Sequence, residues 1–135
     1  MDAFWPFFAS DDGSLPEISI ELASLELVRR LYFEIRARST LVGIEPLRIF
    51  EFHHCVKLFR PRDLPLPALG VRVDPSALRV DYRMGEWKRE QVAELIAWLV
   101  DVDQRYHPRT IALDRDVSPA WTAAFHAAFT TTKNA

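Results

Sequence analysis

The chain has 135 residues, a length typical of one domain. Hydrophobic residues make up 49% of it, charged residues 27% and aromatic residues 12%, which excludes disordered, collagen-like and coiled-coil chains. The formal net charge of -2 disfavours a nucleic-acid-binding domain, which is usually basic. The only cysteine, Cys55, excludes an intrachain disulfide and a zinc site with several cysteine ligands.

The start of the chain and its apolar runs predict a soluble cytoplasmic protein. The first charged residue is Asp2 and Pro6 interrupts a short apolar stretch, so these residues differ from a secretory signal. No apolar run approaches the roughly 18 residues that span a bilayer. We therefore expect no membrane insertion, and a lone cysteine is consistent with a reducing compartment.

Charge is distributed unevenly along the chain. Residues 1–28 carry six acidic and no basic side chains, whereas residues 29–89 carry 13 basic and seven acidic ones. Residues 90–135 carry four basic and six acidic side chains. This segregation favours pairing of the acidic start with the basic middle.

The first half of the chain predicts two strands around one helix. Turn residues end an aromatic segment over 1–14, and strict alternation predicts a half-buried strand over 18–22. Apolar residues at helical spacing follow Ser24, a plausible N-cap, and this helix is expected to end near 39–43. Period-2 alternation after Pro46 predicts a long strand to residue 59, although proline at a first helical position would also suit a helix.

The second half predicts three more strands and two helices. The prolines of residues 60–70 indicate an extended connection, followed by a short strand over 71–73 and an alternating strand over 78–84. After Gly85 comes the strongest helical periodicity of the chain, and His107-Pro108 ends it. A short strand over 110–114 precedes a last helix that begins at Ser118-Pro119, and residues 130–135 are expected to fray.

This order, β-α-β-(β)-β-α-β-α, predicts a single α+β domain over residues 1–135. Two strand–helix–strand halves joined by antiparallel strands form the split βαβ, or ferredoxin-like, sandwich. Its helices would lie mainly on one face of a mostly antiparallel sheet. The alternative is a three-layer arrangement with the last helix on the far face.

One short segment combines side chains that can perform chemistry. If residues 47–59 form a strand, Glu51, His53 and Cys55 point to the same side, and His107 joins them only through folding. Such a group suits a transition metal, or a cysteine nucleophile with a histidine base. The alternative is the polar side of an amphipathic strand. The chain contains no nucleotide-binding, hydrolase or metalloprotease motif, and no catalytic residue, cofactor or metal is assigned.

Two surfaces are candidates for binding a partner. Phe4, Trp5, Phe7 and Phe8 would form an adhesive patch if exposed, and would complete the core if the segment folds back. Arg79 and Arg83 share the solvated side of the predicted strand over 78–84, with Asp81 between them. They suit an acidic partner, or else a solvated sheet face that nearby acidic side chains balance.

These features lead to three hypotheses of function. The first is a non-enzymatic interaction or regulatory module that binds another protein or its own copy as a homodimer, similar in composition to small toxin-neutralising proteins. The second is a metal-binding protein or small enzyme centred on His53 and Cys55. The third is a small-ligand sensor with a pocket between the sheet and the proline-rich connection.

Overall fold

A computed structural model describes residues 2–46 and 55–135, apart from the side chains of Glu45, Pro46 and Cys55. A 3-10 helix over Asp2–Phe7 opens the chain. The strands are β1 (Glu17–Glu21), β2 (Ser39–Pro46), β3 (Cys55–Pro61), β4 (Leu69–Val73), β5 (Ala77–Asp81) and β6 (Thr110–Arg115). The helices are α1 (Leu25–Ala37), α2 (Arg89–Tyr106) and α3 (Pro119–Lys133).

The strands form a six-stranded antiparallel sheet in the order β2-β3-β4-β5-β1-β6. Strand β1 is flanked by β5 and β6, so it lies inside the sheet although it comes first in the chain. Helix α1 connects β1 to β2 at the far edge, and α2 connects β5 to β6 across β1. The predicted α+β class and the mostly antiparallel sheet are therefore confirmed.

Several predicted boundaries are wrong. Helix α1 ends at Ala37 rather than near residues 39–43, and residues 39–46 form strand β2, which was not predicted. Of the long strand predicted over 47–59, residues 55–59 belong to β3, and residues 47–54 lie outside the described part of the chain. Helix α3 continues to Lys133, so most of the tail expected to fray is helical.

The helices begin where their capping residues predict. Leu27 N donates a hydrogen bond to Ser24 Oγ, and Trp121 N donates one to Ser118 Oγ. Each bond satisfies a backbone donor that the first helical turn leaves without a partner. At the start of α2, where Lys88 offers no oxygen, the side chain of Gln91 accepts from Lys88 N instead. Both predicted serine caps are thus present.

All three helices pack on one face of the sheet. Cross-strand neighbours on this face are apolar, as in the pairs of Ile18 with Val80 and with Leu113. The Glu34–Arg105 ion pair joins α1 to α2, and Lys133 Nζ of α3 lies 3.6 Å from Asp103 Oδ1 of α2. The contacts therefore place α3 beside the other helices, as the two-layer prediction requires, and not on the far face.

The N-terminal segment completes the core. Phe4, Phe7 and Phe8 are at most 3% exposed. The ring of Phe8 stacks on Tyr82 with centroids 4.4 Å apart, and Phe7 packs edge-on against Trp121 at 5.2 Å. The buried hydroxyl of Tyr82 donates to Phe7 O, so the segment is held by a polar contact as well as by ring packing.

A left-handed glycine lets this segment lie against the rest of the fold. Gly85 has a φ of 88°, a conformation that other residues rarely adopt. Its N–H donates to Phe8 O at 2.8 Å. A side chain at this position would also collide with Asp11, because an added Cβ would lie 2.8 Å from the Asp11 Cβ. The turn after β5 and the end of the aromatic segment therefore depend on each other.

Truncation of a buried ring in this segment should destabilise the whole domain. We expect Phe8→Ala to lower the free energy of unfolding by about 3–5 kcal/mol, because it leaves a cavity beside Tyr82 and Trp87. Urea denaturation followed by far-UV circular dichroism measures this change. Phe33→Ala is the control, since Phe33 is 56% exposed and its loss should cost about 0.5 kcal/mol or less. Equal effects of the two substitutions would contradict the burial of the segment.

Candidate functional site

The predicted reactive cluster lies mostly outside the described residues. Glu51 and His53 are not described, and Cys55 is described only by its backbone, which pairs with Pro46 at the start of β3. His107 is exposed at the C-cap of α2 with a φ of 48°. Their convergence therefore remains a prediction. Within residues 2–46 and 55–135, no group of three His, Cys, Asp or Glu side chains is arranged to hold a metal ion.

Most of the aromatic residues that could have formed a partner surface are buried. Phe4, Phe7 and Phe8 are buried, so the partner-surface interpretation is wrong for these three rings and the core-filling interpretation is correct. Trp5 is only half-buried, and the guanidinium of Arg89 lies 4.7 Å from the centre of its ring. Arg89 also pairs with Asp2, so Trp5 is fixed against the start of α2.

The polar side of the sheet is organised around a buried carboxylate. The side chain of Glu17, at the start of β1, is 2% exposed. Three guanidinium groups surround it, with nitrogen–oxygen distances of 3.0 Å for Arg72, 3.7 Å for Arg79 and 3.6 Å for Arg115. Cross-strand pairing brings them together, because Glu17 pairs with Arg115, and Arg72 pairs with Arg79.

Arg79 is therefore not an open basic site. Its Nε donates to Asp74 Oδ2 at 2.8 Å, and its Nη1 donates to Ser19 Oγ and lies 3.9 Å from Asp114 Oδ2. Burial alone would raise the pKa of Asp74, but the hydrogen bond from Arg79 and those from the Ser76 and Ala77 backbone hold it below its ordinary value. Arg83 is exposed. For Arg79, this geometry matches the balanced sheet face rather than a site for an acidic partner.

An apolar pocket lies on the helical side of the sheet. Its cavity volume is about 50 Å³, and the larger space of about 560 Å³ includes open solvent at its mouth. Its floor is formed by strands β3, β4 and β5, and its walls by α1, α2 and the connection between β3 and β4. The apolar lining residues are Ile35, Phe59, Pro61, Leu64, Leu66, Leu69, Val71, Val80, Leu95 and Trp98.

The connection between β3 and β4 is held over the pocket at its start and at its middle. Arg62 N donates to Arg38 O at 2.9 Å, and the guanidinium of Arg62 donates to Ala37 O. Arg38 Nε donates to Asp63 Oδ2 at 3.0 Å, which fixes the same end to the last turn of α1. At the middle, Gln91 Nε2 of α2 donates to Pro65 O at 2.8 Å.

The polar residues of the pocket differ in how fully they are paired. Both carboxylate oxygens of Glu34 accept from Arg105, and Tyr106 Oη donates to Glu34 Oε2 at 2.7 Å. The Arg105 hydrogen bonds hold the pKa of Glu34 below its ordinary value despite partial burial. Arg38 and Asp63, by contrast, share one hydrogen bond, and their side chains are 52% and 58% exposed.

The sequence predicted only part of this pocket. The third hypothesis placed a pocket between the sheet and the proline-rich connection, and the described geometry has one there. Trp98 lies off the apolar stripe of its helix, and this offset is the signal that it lines a separate space. The Arg38–Asp63 pair joins residues 25 positions apart, and no sequence pattern indicates it.

Comparison of the chain with protein-family models, curated proteins and solved structures gives no match. None of the helices in the described residues has the length and apolar character needed to cross a membrane. Proposals about function therefore rest on the geometry of the pocket and of the sheet.

The Glu34 pairing should make stability depend on pH in one direction. A carboxyl whose pKa is lowered by folding stabilises fully above its ordinary value of 4.5, and this contribution is lost as the pH falls through the lowered value. We expect Glu34→Gln to destabilise more at pH 7 than at pH 3, because the contribution of the ionised carboxylate decreases below the ordinary pKa of 4.5. Urea midpoints at both pH values measure the difference. Glu26→Gln is the control, because the exposed pair of Glu26 with Arg30 contributes little. If Glu34→Gln destabilised the protein equally at both pH values, the account would be contradicted.

Proposed function

We propose that the protein binds a small, mostly apolar molecule in the pocket between α1, α2 and the sheet. The observation that supports this is the contrast between an apolar interior and a few polar groups at the rim. Ten apolar residues line the space, and the polar lining residues are Glu34, Arg38, Ser39 and Asp63. Pockets that bind small molecules typically combine an apolar lining with few, placed polar groups.

The surrounding contacts support a pocket that exists before a ligand arrives. The Glu34–Arg105–Tyr106 contacts fix the separation of α1 and α2 on one side. The Arg62 and Gln91 contacts hold the proline-rich connection on the other side. A preformed site lowers the entropy lost on binding, because fewer groups must be ordered. This supports a ligand-binding role for the pocket.

Neutral apolar probes test this proposal. We expect 1-octanol and 2-naphthol to shift the amide NMR signals of Leu69, Val71 and Leu95 in a ¹H–¹⁵N titration, because their side chains line the pocket. Leu64→Trp should fill the mouth and weaken binding at least about tenfold, since the larger ring excludes the probe. Leu15→Trp is the matched control on an exposed loop residue, which is 39% exposed. If neither probe shifts these signals, the proposal is wrong.

A second candidate is self-association through β2, in line with the interaction-module hypothesis. Strand β2 is at the edge of the sheet, and within the described residues it pairs with β3 alone. Its Leu41, Val42 and Ile44 side chains are 46–57% exposed. An exposed apolar edge strand can pair with the same strand of a second copy. The register shift between Leu41 and Gly43 limits such pairing to part of the strand.

Sedimentation velocity tests self-association. A dimer that pairs through β2 should dissociate in Ile44→Lys, because a charge at the edge opposes strand pairing. Val73→Lys is the matched control, since Val73 is a similarly exposed residue of an inner strand. Sedimentation as a monomer at all concentrations, or the same response to both substitutions, would rule out this second candidate.

We also propose that the fold is a ferredoxin-like arrangement enlarged by two strands. Helix α2 connects β5 and β6, and β1 lies between them, which is the split βαβ unit. Without β3 and β4, the remaining strands follow the order β2-β5-β1-β6, with α1 and α2 as the two connections. On this interpretation, β3, β4 and the connection between them are the insertion that supplies most of the pocket floor.

A further inference from the structure

We propose that the ligand of this pocket is an organic anion with an apolar body, whose carboxylate binds Arg38 and Ser39. The inference deepens the proposed pocket function and rests on it. Arg38 and Ser39 both line the pocket at its rim, next to each other in the chain. The described contacts leave hydrogen-bond donors on both side chains that a carboxylate fits.

Arg38 has donors without partners among the described residues. A guanidinium carries N–H groups on Nε and on both terminal nitrogens. In Arg38, the Nε–H donates to Asp63, and no described residue accepts from the terminal nitrogens. The two terminal nitrogens form a planar fork that matches the two oxygens of a carboxylate. The hydroxyl of Ser39 likewise has no hydrogen-bond partner among the described residues.

The open donors at this corner belong to a guanidinium group, which favours an anion over a cation. Arg62 places a second guanidinium on the last turn of α1, where it covers the Ala37 carbonyl. Arg38 pairs with Asp63, and its charge also acts on Glu34. Glu34 also lines the pocket, and its oxygens accept from Arg105 and Tyr106, while Arg105 is shared with Asp101. The preference for an anion therefore rests on the terminal nitrogens of Arg38, which no described residue uses, and not on a surplus of positive charge.

The apolar residues define the other part of the ligand. Phe59, Val71 and Leu95 line the same space as Arg38. A ligand that places its carboxylate at the rim would extend its hydrocarbon part toward these side chains. Each methylene transferred from water to such an environment favours binding. An alkanoate or an arylcarboxylate satisfies both requirements, whereas a polyanion such as a nucleotide would leave charges among apolar side chains.

A matched series with one chain length and three head groups tests the inference. NMR titrations at neutral pH with octanoate, 1-octanol and octylamine compare an anion, a neutral molecule and a cation. We expect octanoate to bind about 10- to 100-fold more tightly than 1-octanol, because hydrogen bonds to charged groups contribute that much. Octylamine should bind most weakly. Octanol binding as tight as octanoate, or octylamine binding more tightly, would overturn the inference while leaving the pocket function intact.

Two substitutions test whether the rim residues cause the preference for octanoate over 1-octanol. Arg38→Gln should remove the preference for octanoate and retain 1-octanol binding, whereas Arg36→Gln, on an exposed residue of the same helix, should change neither. Asp63→Asn removes the acidic competitor and should increase the ratio of octanoate to octanol affinity. A ratio that is unchanged in Arg38→Gln, or that falls in Asp63→Asn, would contradict the assignment. If no probe binds the unsubstituted protein, the proposed pocket function itself fails.

Discussion

Strand β1 lies between β5 and β6, and its alternating side chains determine the chemistry of both faces of the sheet. Ile18 and Ile20 are fully buried beneath the helices. Glu17 and Ser19 face the other way, and Glu17 forms ion pairs with three arginine side chains from β4, β5 and β6. A buried carboxylate is tolerated only when it is paired in this way. The two faces therefore have separate roles: one forms the core and the pocket, and the other is a balanced ionic network.

The pocket exists because a loop, and not a helix, covers part of β3 and β4. Helix α2 and the last turn of α1 contribute Leu95 and Ile35, and the chain between β3 and β4 closes the remaining side. The prolines of this connection prevent regular pairing with the strands, since they lack a backbone donor. Hydrogen bonds from Arg62 and Gln91 hold it in place instead. Such a loop leaves space that a packed helix would fill.

Periodicity in the sequence predicted the elements whose burial pattern is regular. The stripes of α1 and α2 and the alternation of β1 and β5 all identify the correct structure, and Ser24 and Ser118 mark helix starts. Strand β2 was missed because its exposed Leu41, Val42 and Ile44 do not alternate between a wet and a buried face. Strand β2 forms because it pairs with β3, and this long-range pairing overrides the local conformational preference of its residues.

The candidate sites also differ in how much of them the sequence could predict. Burial of the aromatic N-terminus depends on Tyr82, Trp87 and Trp121, which sequence cannot place beside it. A ligand pocket between the sheet and the proline-rich connection was one of the three hypotheses drawn from the sequence. No sequence pattern indicates the Arg38–Asp63 pair, because it arises only when the end of α1 meets the connection.

Intermolecular nuclear Overhauser effects between a bound probe and the protein test the central claim most directly. With 1-octanol in a methyl-labelled sample, the account predicts contacts from the alkyl chain to the methyl groups of Leu69, Val71 and Leu95, which line the pocket. Contacts confined to exposed side chains such as Leu41 and Ile44, or no contacts at all, would contradict it.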